Sequence, residues 1–164
     1  AEVYRGRLSN LGPAPRIGVC WKSLNASWMK RPFHSGLEDW APIFDAVEAT
    51  FINLQVDVDP AALKCWGIYD VEGLDLRNDF DGVAALISEL DAVVSARCWV
   101  PILSGALGVP TICFSAPFNP FFFGQDKDPW MPWVRIYTST GCADWRGPME
   151  AIATDLPGVL GRLR

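Results

Sequence analysis

The chain has 164 residues, which is long enough for one domain with a sizeable core. Half of the residues are hydrophobic and the mean hydropathy is +0.14, a composition that excludes disordered and fibrous proteins. The net charge of −5 disfavours a nucleic-acid partner, and no apolar run reaches the roughly 18–20 residues that span a bilayer.

The first predicted strand follows an irregular N-terminal segment. Residues 1–15 show no sustained period and are interrupted by glycine and proline, so we predict a linker or the end of a preceding domain there. A single domain is then expected over 16–164. Its first strand is Ile17–Trp21, and Lys22 and Ser23 follow at the carboxyl end of that strand.

The next part of the chain continues the alternation of helix and strand. An apolar stripe predicts a helix over 37–49, and the β-branched run after it predicts a strand over 50–55, with Gln55 at its carboxyl end. Residues 56–65 are acidic and contain proline, so we predict an irregular segment. A short strand is expected over 67–71.

The central stretch from 78 to 114 has the strongest periodicity. Apolar residues at helical spacing predict a helix over 80–90, which Asn78 or Asp79 should cap by accepting hydrogen bonds from its first amides. The elements predicted after it are a strand at Ala92–Val94, a helix at Val100–Leu107 and a strand at Thr111–Phe114. This order predicts an α/β fold in which helices cover both faces of a mainly parallel sheet.

The carboxyl-terminal part is predicted to add one strand and one helix. Residues 115–124 carry four phenylalanines and two prolines, which indicates a loop that something covers. Alternation predicts the last strand at 134–137. A helix is expected over 147–156, and Pro157 should end or bend it.

The corner from Ser95 to Trp99 is the best candidate ligand site on topology. It follows the carboxyl end of a predicted strand and leads into a helix, whose free amides and dipole favour anions. Most such corners bind nothing, so topology alone does not decide whether this corner is a ligand site or an ordinary connection.

The cysteines indicate a reduced, cytoplasmic protein. They are odd in number, scattered, and form no Cys-x-x-Cys pair, and no secretion signal opens the sequence. Because His34 is the single histidine, a metal site built on several histidines is excluded.

Two runs resemble a known family. Leu90–Ala96 and Leu103–Thr111, together with the Trp130-Met131-Pro132 segment, are similar to the nucleotide-sugar-binding, carboxyl-terminal domain of bacterial GT-B glycosyltransferases. The type is the one linked to tetratricopeptide repeats and like O-GlcNAc transferase, with heptosyltransferases more distant. The resemblance implies a Rossmann-like three-layer sandwich that forms one half of a GT-B architecture.

The resemblance also implies a function. It is donor binding in an inverting, metal-independent glycosyltransferase that uses a nucleoside-diphosphate sugar and no cofactor. An N-terminal acceptor domain or helical repeats would complete the enzyme, so the isolated chain is expected to be inactive, and no catalytic residue is identified. The residues expected to contact the ligand are Lys22, Ser23, Gln55, Asp79, Ser95, Arg97, Cys98, Trp99 and Val100.

A different class of function remains open. Relatives carry a small acidic residue or proline, a threonine and a small residue where this chain has Arg97, Cys98 and Trp99. If Trp99 fills the pocket, the chain is a non-catalytic Rossmann-like interaction module with a degenerate nucleotide site. A flavodoxin-like or NAD-binding domain is disfavoured, because no Gly-x-Gly-x-x-Gly follows the first strand.

Overall fold

A computed structural model describes Tyr4, Gly6, Gly12 and residues 14–24, 34–117, 124–141 and 144–161. In these ranges the strands form one sheet in the order β3-β2-β1-β4-β5-β6, and every neighbouring pair runs parallel. The strands are β1 (Arg16–Cys20), β2 (Thr50–Asn53), β3 (Ile68–Tyr69), β4 (Ala92–Ala96), β5 (Thr111–Ser115) and β6 (Val134–Thr138). The predicted α/β fold with a parallel sheet is confirmed.

A helix follows each of β1, β2, β3, β4 and β6 along the chain. A 3₁₀ turn (Glu38–Trp40) leads into the first helix. The helices are α1 (Ala41–Ala46), α2 (Pro60–Cys65), α3 (Phe80–Ile87), α4 (Val100–Ala106) and α5 (Arg146–Gly161).

The sheet divides the core into two main layers. Ile17 and Val19 of β1 pack in the layer that also holds Trp40, Ile43 of α1 and Met149 of α5. The second layer lies on the other face and is built largely on α3 and α4. Its buried members include Cys20, Ile52, Val83, Leu86, Val93 and Val100. Alternate side chains of one strand therefore pack on opposite faces of the sheet, as a three-layer sandwich requires.

Local signals explain where the central helices begin and end. The Asp79 carboxylate accepts a hydrogen bond from the Gly82 amide at 2.8 Å, so the predicted cap of α3 is confirmed. Pro101 lies in the first turn of α4, where a missing amide hydrogen costs little. Gly108 follows α4 with φ of +76°, a conformation that favours glycine.

Several predicted bounds differ from the structure, most of all in three helical segments. A helix, α2, occupies part of the segment predicted to be irregular, because Asp59 accepts from the Ala61 amide at 2.9 Å and Pro60 opens the first turn. The helix expected over 37–49 is only the 3₁₀ turn and α1. The last helix continues through Pro157 to Gly161, since the burial of Leu156 and Val159 holds the turn that proline weakens.

Some predictions concern residues outside those that the structure describes. They include most of the 1–15 segment and the 118–123 part of the phenylalanine-rich loop. Among the described residues, no helix combines the length and the apolar character that crossing a bilayer requires.

Candidate functional site

The order of the strands reverses direction between β1 and β4. The chain moves outward from β1 to β2 and β3, then returns to place β4 on the other side of β1. In the register of this pair, Cys20 lies opposite Ser95, so the segments that follow the two strands leave the sheet side by side. Ligands of open parallel sheets bind in the crevice that forms at such a point.

The larger cavity at this edge has a volume of about 510 Å³. Ser23 and Arg97, which follow β1 and β4, lie on its wall beside Cys98. The rest of the wall comes from α4, β5, β6 and the segment before β6. These residues are Pro101, Ile102, Cys113, Asp128, Trp130, Met131 and Val134. The cavity is thus mainly apolar, with a cation and a hydroxyl at the strand ends.

The wall before β6 is held by a turn and by close packing. One oxygen of Asp128 accepts hydrogen bonds from the amides of Trp130 at 2.8 Å and Met131 at 3.1 Å. The Trp133 indole donates to the Gly105 carbonyl of α4 at 2.8 Å. A Cβ atom on Gly105 would lie 2.5 Å from the Met131 sulfur and 2.9 Å from a Val134 methyl group, so a larger residue there would force its neighbours to shift. The turn leaves the Trp130 side chain 79% exposed beside the cavity.

A smaller cavity of about 300 Å³ adjoins the first. Ser23 lines both cavities, and Lys22 and Gln55 line the smaller one together with His34 and Asp57. Lys22 and Arg97 therefore line two neighbouring cavities that share the Ser23 wall. The remaining lining residues are Leu24 and Val56.

Gln55 is a buried support of this edge. It is 2% exposed, and its Oε1 accepts a hydrogen bond from the Lys22 amide at 2.9 Å. Its Nε2 donates to the Val56 carbonyl at 3.0 Å, while its own amide donates to Asn53 Oδ1 at 2.8 Å. Both ends of the side chain are bonded within the protein. The structure thus assigns Gln55 the positioning of Lys22, and its predicted ligand contact stays a prediction.

Ser95 and Cys20 lie close to the sulfur of Cys98, which lines the larger cavity. Ser95 is fully buried and donates to the Ala96 carbonyl at 2.8 Å. Its Oγ lies 3.7 Å from Cys98 Sγ, which is 3.8 Å from Cys20 Sγ. Hydrogen bonds from Cys20, the Val100 amide and Ser95 lower the pKa of Cys98 to about 7, against the opposing effect of burial. The contact with Cys98 and burial together raise the pKa of Cys20.

Four predicted contact residues do not line either cavity. Besides the buried Ser95, they are Asp79, Trp99 and Val100. Trp99 packs edge-on against the Phe80 ring, with centroids 5.1 Å apart. Val100 is buried in the second core layer, and Asp79 caps α3. Trp99 therefore does not fill the larger cavity.

Other lining residues were not predicted from the sequence. Ile102, Cys113, Asp128 and Val134 reach the cavity from elements far apart along the chain. The spacing of Asp128 before Trp130 and Met131 is a turn signal, and it was the available clue. No three His, Cys, Asp or Glu side chains within the described ranges are grouped to hold a metal ion.

Comparison with known proteins gives one curated relative and several solved structures. No protein-family model matches the chain. Protein FlbA of Caulobacter vibrioides is 28% identical over 162 aligned residues, which cover 93% of this chain and 27% of FlbA. The chain thus spans about a quarter of that relative's length.

The solved structures share the fold. A family 9 glycosyl transferase from Veillonella parvula matches with a TM-score of 0.67 and 12% identity, over 99% of this chain and 53% of that protein. The ADP-heptose lps heptosyltransferase II of E. coli matches with a TM-score of 0.59 and 14% identity, over 99% of this chain and 52% of that protein. This chain therefore has the fold of about half of each transferase.

Proposed function

We propose that this chain is the donor-binding domain of an inverting, metal-independent glycosyltransferase, with residues 1–15 as a linker or the end of a preceding domain. The observation that carries the proposal is the cavity of about 510 Å³ at the point of strand reversal, with Arg97 on its wall. Its volume lies in the range of small-ligand sites. The fold shared with about half of two solved transferases supports the same conclusion.

Two cations at this edge suit a diphosphate, although the carboxylates of Asp128 and Asp57 line the same two cavities. Arg97 lines the larger cavity and Lys22 lines the smaller one next to it. A guanidinium binds two phosphate oxygens at once, and an ammonium acts as a point charge. In this proposal the diphosphate lies across the wall formed by Ser23, between the two cations. Their local charge holds the anion although the whole chain has a net charge of −5.

The remaining wall suits a ring system. Ile102, Met131 and the exposed indole of Trp130 offer a mainly apolar surface beside Arg97, and the indole is planar. Such surfaces bind planar bases or the apolar face of a sugar. We therefore assign the base or the sugar of the donor to the Trp130 side of the cavity.

The proposed chemistry divides between two parts of a longer protein. In an inverting transfer, an acceptor hydroxyl loses its proton to a base and its oxygen forms a bond to the anomeric carbon, as the bond from that carbon to the diphosphate breaks. Negative charge grows on the leaving diphosphate, where Arg97 and Lys22 would stabilise it. The acceptor must be held in line by another domain or by helical repeats, so this chain alone should bind the nucleotide without turnover.

Titration calorimetry with UDP, GDP and ADP at millimolar concentration tests the proposal. One of the three should bind at least tenfold more tightly than its nucleoside monophosphate, because the second phosphate adds charge-assisted contacts. Absence of heat with all three would overturn the proposal. Light scattering on the same samples adds a second result, because a self-associated protein that binds none of them would favour the interaction module.

A further inference from the structure

A cysteine in the wall of the larger cavity, Cys98, contacts a buried cysteine at the end of the neighbouring strand, Cys20. Cys20 is the last residue of β1, and Cys98 follows the end of β4 by two residues. Their sulfurs are 3.8 Å apart. A disulfide bond is about 2.05 Å long, so the two sulfurs need to approach by less than 2 Å, roughly the scale of a side-chain rotation.

Access to the two thiols is unequal. Cys98 is partly exposed and lines the cavity of about 510 Å³. Cys20 is 3% exposed and belongs to the buried layer beneath it. A small reagent that enters the cavity therefore reaches Cys98 first and meets Cys20 only through Cys98.

The chemical environments of the two thiols also differ, and they too favour reaction at Cys98. Ser95 and Cys20 lie beside the Cys98 sulfur, and the Val100 amide donates to it; these contacts lower the pKa of Cys98 to about 7, so a substantial share of Cys98 is thiolate at neutral pH. Cys20 keeps its proton because burial and the neighbouring Cys98 raise its pKa. Cys113 also lines the cavity, but burial raises the pKa of its thiol and makes it a poor nucleophile.

We propose that Cys98 is a site of thiol modification by low-molecular-mass disulfides and that Cys20 is its resolving partner. The proposal goes beyond sugar-nucleotide binding and does not depend on it. It rests on the distance between the sulfurs and on the position of Cys98 in the cavity wall.

The reaction has two balanced steps. The Cys98 thiolate attacks one sulfur of the reagent, the disulfide bond of the reagent breaks, and the departing thiolate takes up the proton that Cys98 had released. Cys20 then loses its proton and attacks Cys98 Sγ, which releases the second reagent thiol with that proton. Two protein thiols are oxidised to the Cys20–Cys98 disulfide, and one reagent disulfide is reduced to two thiols.

Oxidised glutathione at neutral pH, added to the reduced full chain, tests this proposal. Peptide mapping without reduction should recover the peptides of Cys20 and Cys98 joined to each other. The Cys20→Ser variant should instead accumulate one glutathione on Cys98, and Cys98→Ser should lose the link. The exposed Cys65 provides the control, because Cys65→Ser should form the link as the wild type does.

The wild-type map decides the matter even if a variant folds poorly. A wild-type chain that carries glutathione only on Cys65, with Cys20 and Cys98 both free, would overturn the proposal. So would a mixed disulfide at Cys98 that never passes on to Cys20.

Discussion

The buried amide of Gln55 joins the ends of two neighbouring strands, because its Oε1 accepts from the Lys22 amide at 2.9 Å. Gln55 follows β2 and Lys22 follows β1, and these strands pair in parallel. The loop that carries Lys22 and Ser23 to the two cavities is therefore held from beneath by a side chain that is 2% exposed.

Replacing Gln55 by alanine should destabilise the protein. The Lys22 amide and the Val56 carbonyl would each lose a buried partner, so the free energy of unfolding should fall by about 1–3 kcal/mol. Urea denaturation measures the change. The matched control is Gln125→Ala, since Gln125 is exposed and its removal should change stability by less than about 0.5 kcal/mol. Equal effects of the two substitutions would contradict the assigned role.

Replacing Arg97 by glutamine should weaken nucleotide binding. A charge-assisted hydrogen bond is worth about 1.5–3 kcal/mol, so the dissociation constant of the nucleoside diphosphate should rise about tenfold to a hundredfold. Titration calorimetry with the nucleotide that binds the wild type gives the measurement.

The control for that variant is Arg146→Gln. It removes the same charge from α5, where Arg146 pairs with Glu150 on the surface at 3.0 Å. Its affinity should match the wild type. If both variants lose affinity equally, the effect is one of net charge and Arg97 has no special contact.

Replacing Gly105 by alanine should disturb the wall of the larger cavity. The added Cβ would lie 2.5 Å from the Met131 sulfur and 2.9 Å from a Val134 methyl group. Such overpacking costs about 1–3 kcal/mol, which exceeds the gain of about 0.5–1 kcal/mol that alanine brings to a helix. Thermal unfolding should show a lower midpoint.

The control is Gly158→Ala, which changes the helix propensity without adding a steric contact. Gly158 lies in α5, and nothing stands within 4 Å of the position of its Cβ. The expected result is unchanged or slightly raised stability. A Gly105→Ala variant as stable as Gly158→Ala would show that the contact with Met131 gives way freely.

Because Tyr137 loses its proton at high pH, the free energy of unfolding should fall in alkaline solution. Burial and the hydrogen bond to Asp155 raise the pKa of its phenol to about 12. The unfolded chain loses this proton near pH 10, while the folded chain keeps it up to about 12. The stabilisation is therefore complete below about pH 10 and is lost between about pH 10 and 12.

Tyr137→Phe should flatten the dependence of stability on pH in that window. Denaturation series at pH 9, about 10.5 and about 11.5 give the slope. Tyr69→Phe removes a 44% exposed phenol and leaves Tyr137 in place, so it should keep the wild-type slope. An unchanged slope in Tyr137→Phe would rule out the contribution assigned to this phenol.

The sequence alone was enough for the parallel α/β fold and for most elements. Periodicity located β4, α3 and α4, because buried strands and amphipathic helices carry their own pattern of apolar residues. The Asp79 cap was also predictable, since a cap depends on residues adjacent along the chain. Helix α2 was missed although Asp59 and Pro60 formed a local start signal.

Only the tertiary structure decided what surrounds the site. The sequence placed Lys22, Gln55 and Arg97 at strand ends, but the sharing of Ser23 between two cavities depends on how separate strands lie side by side. The same holds for the pairing of Cys20 with Cys98, 78 residues apart, and for the packing of Trp99 on Phe80. Local patterns specify backbone conformation, whereas contacts between distant residues are set by strand order and register, which no short stretch of sequence contains.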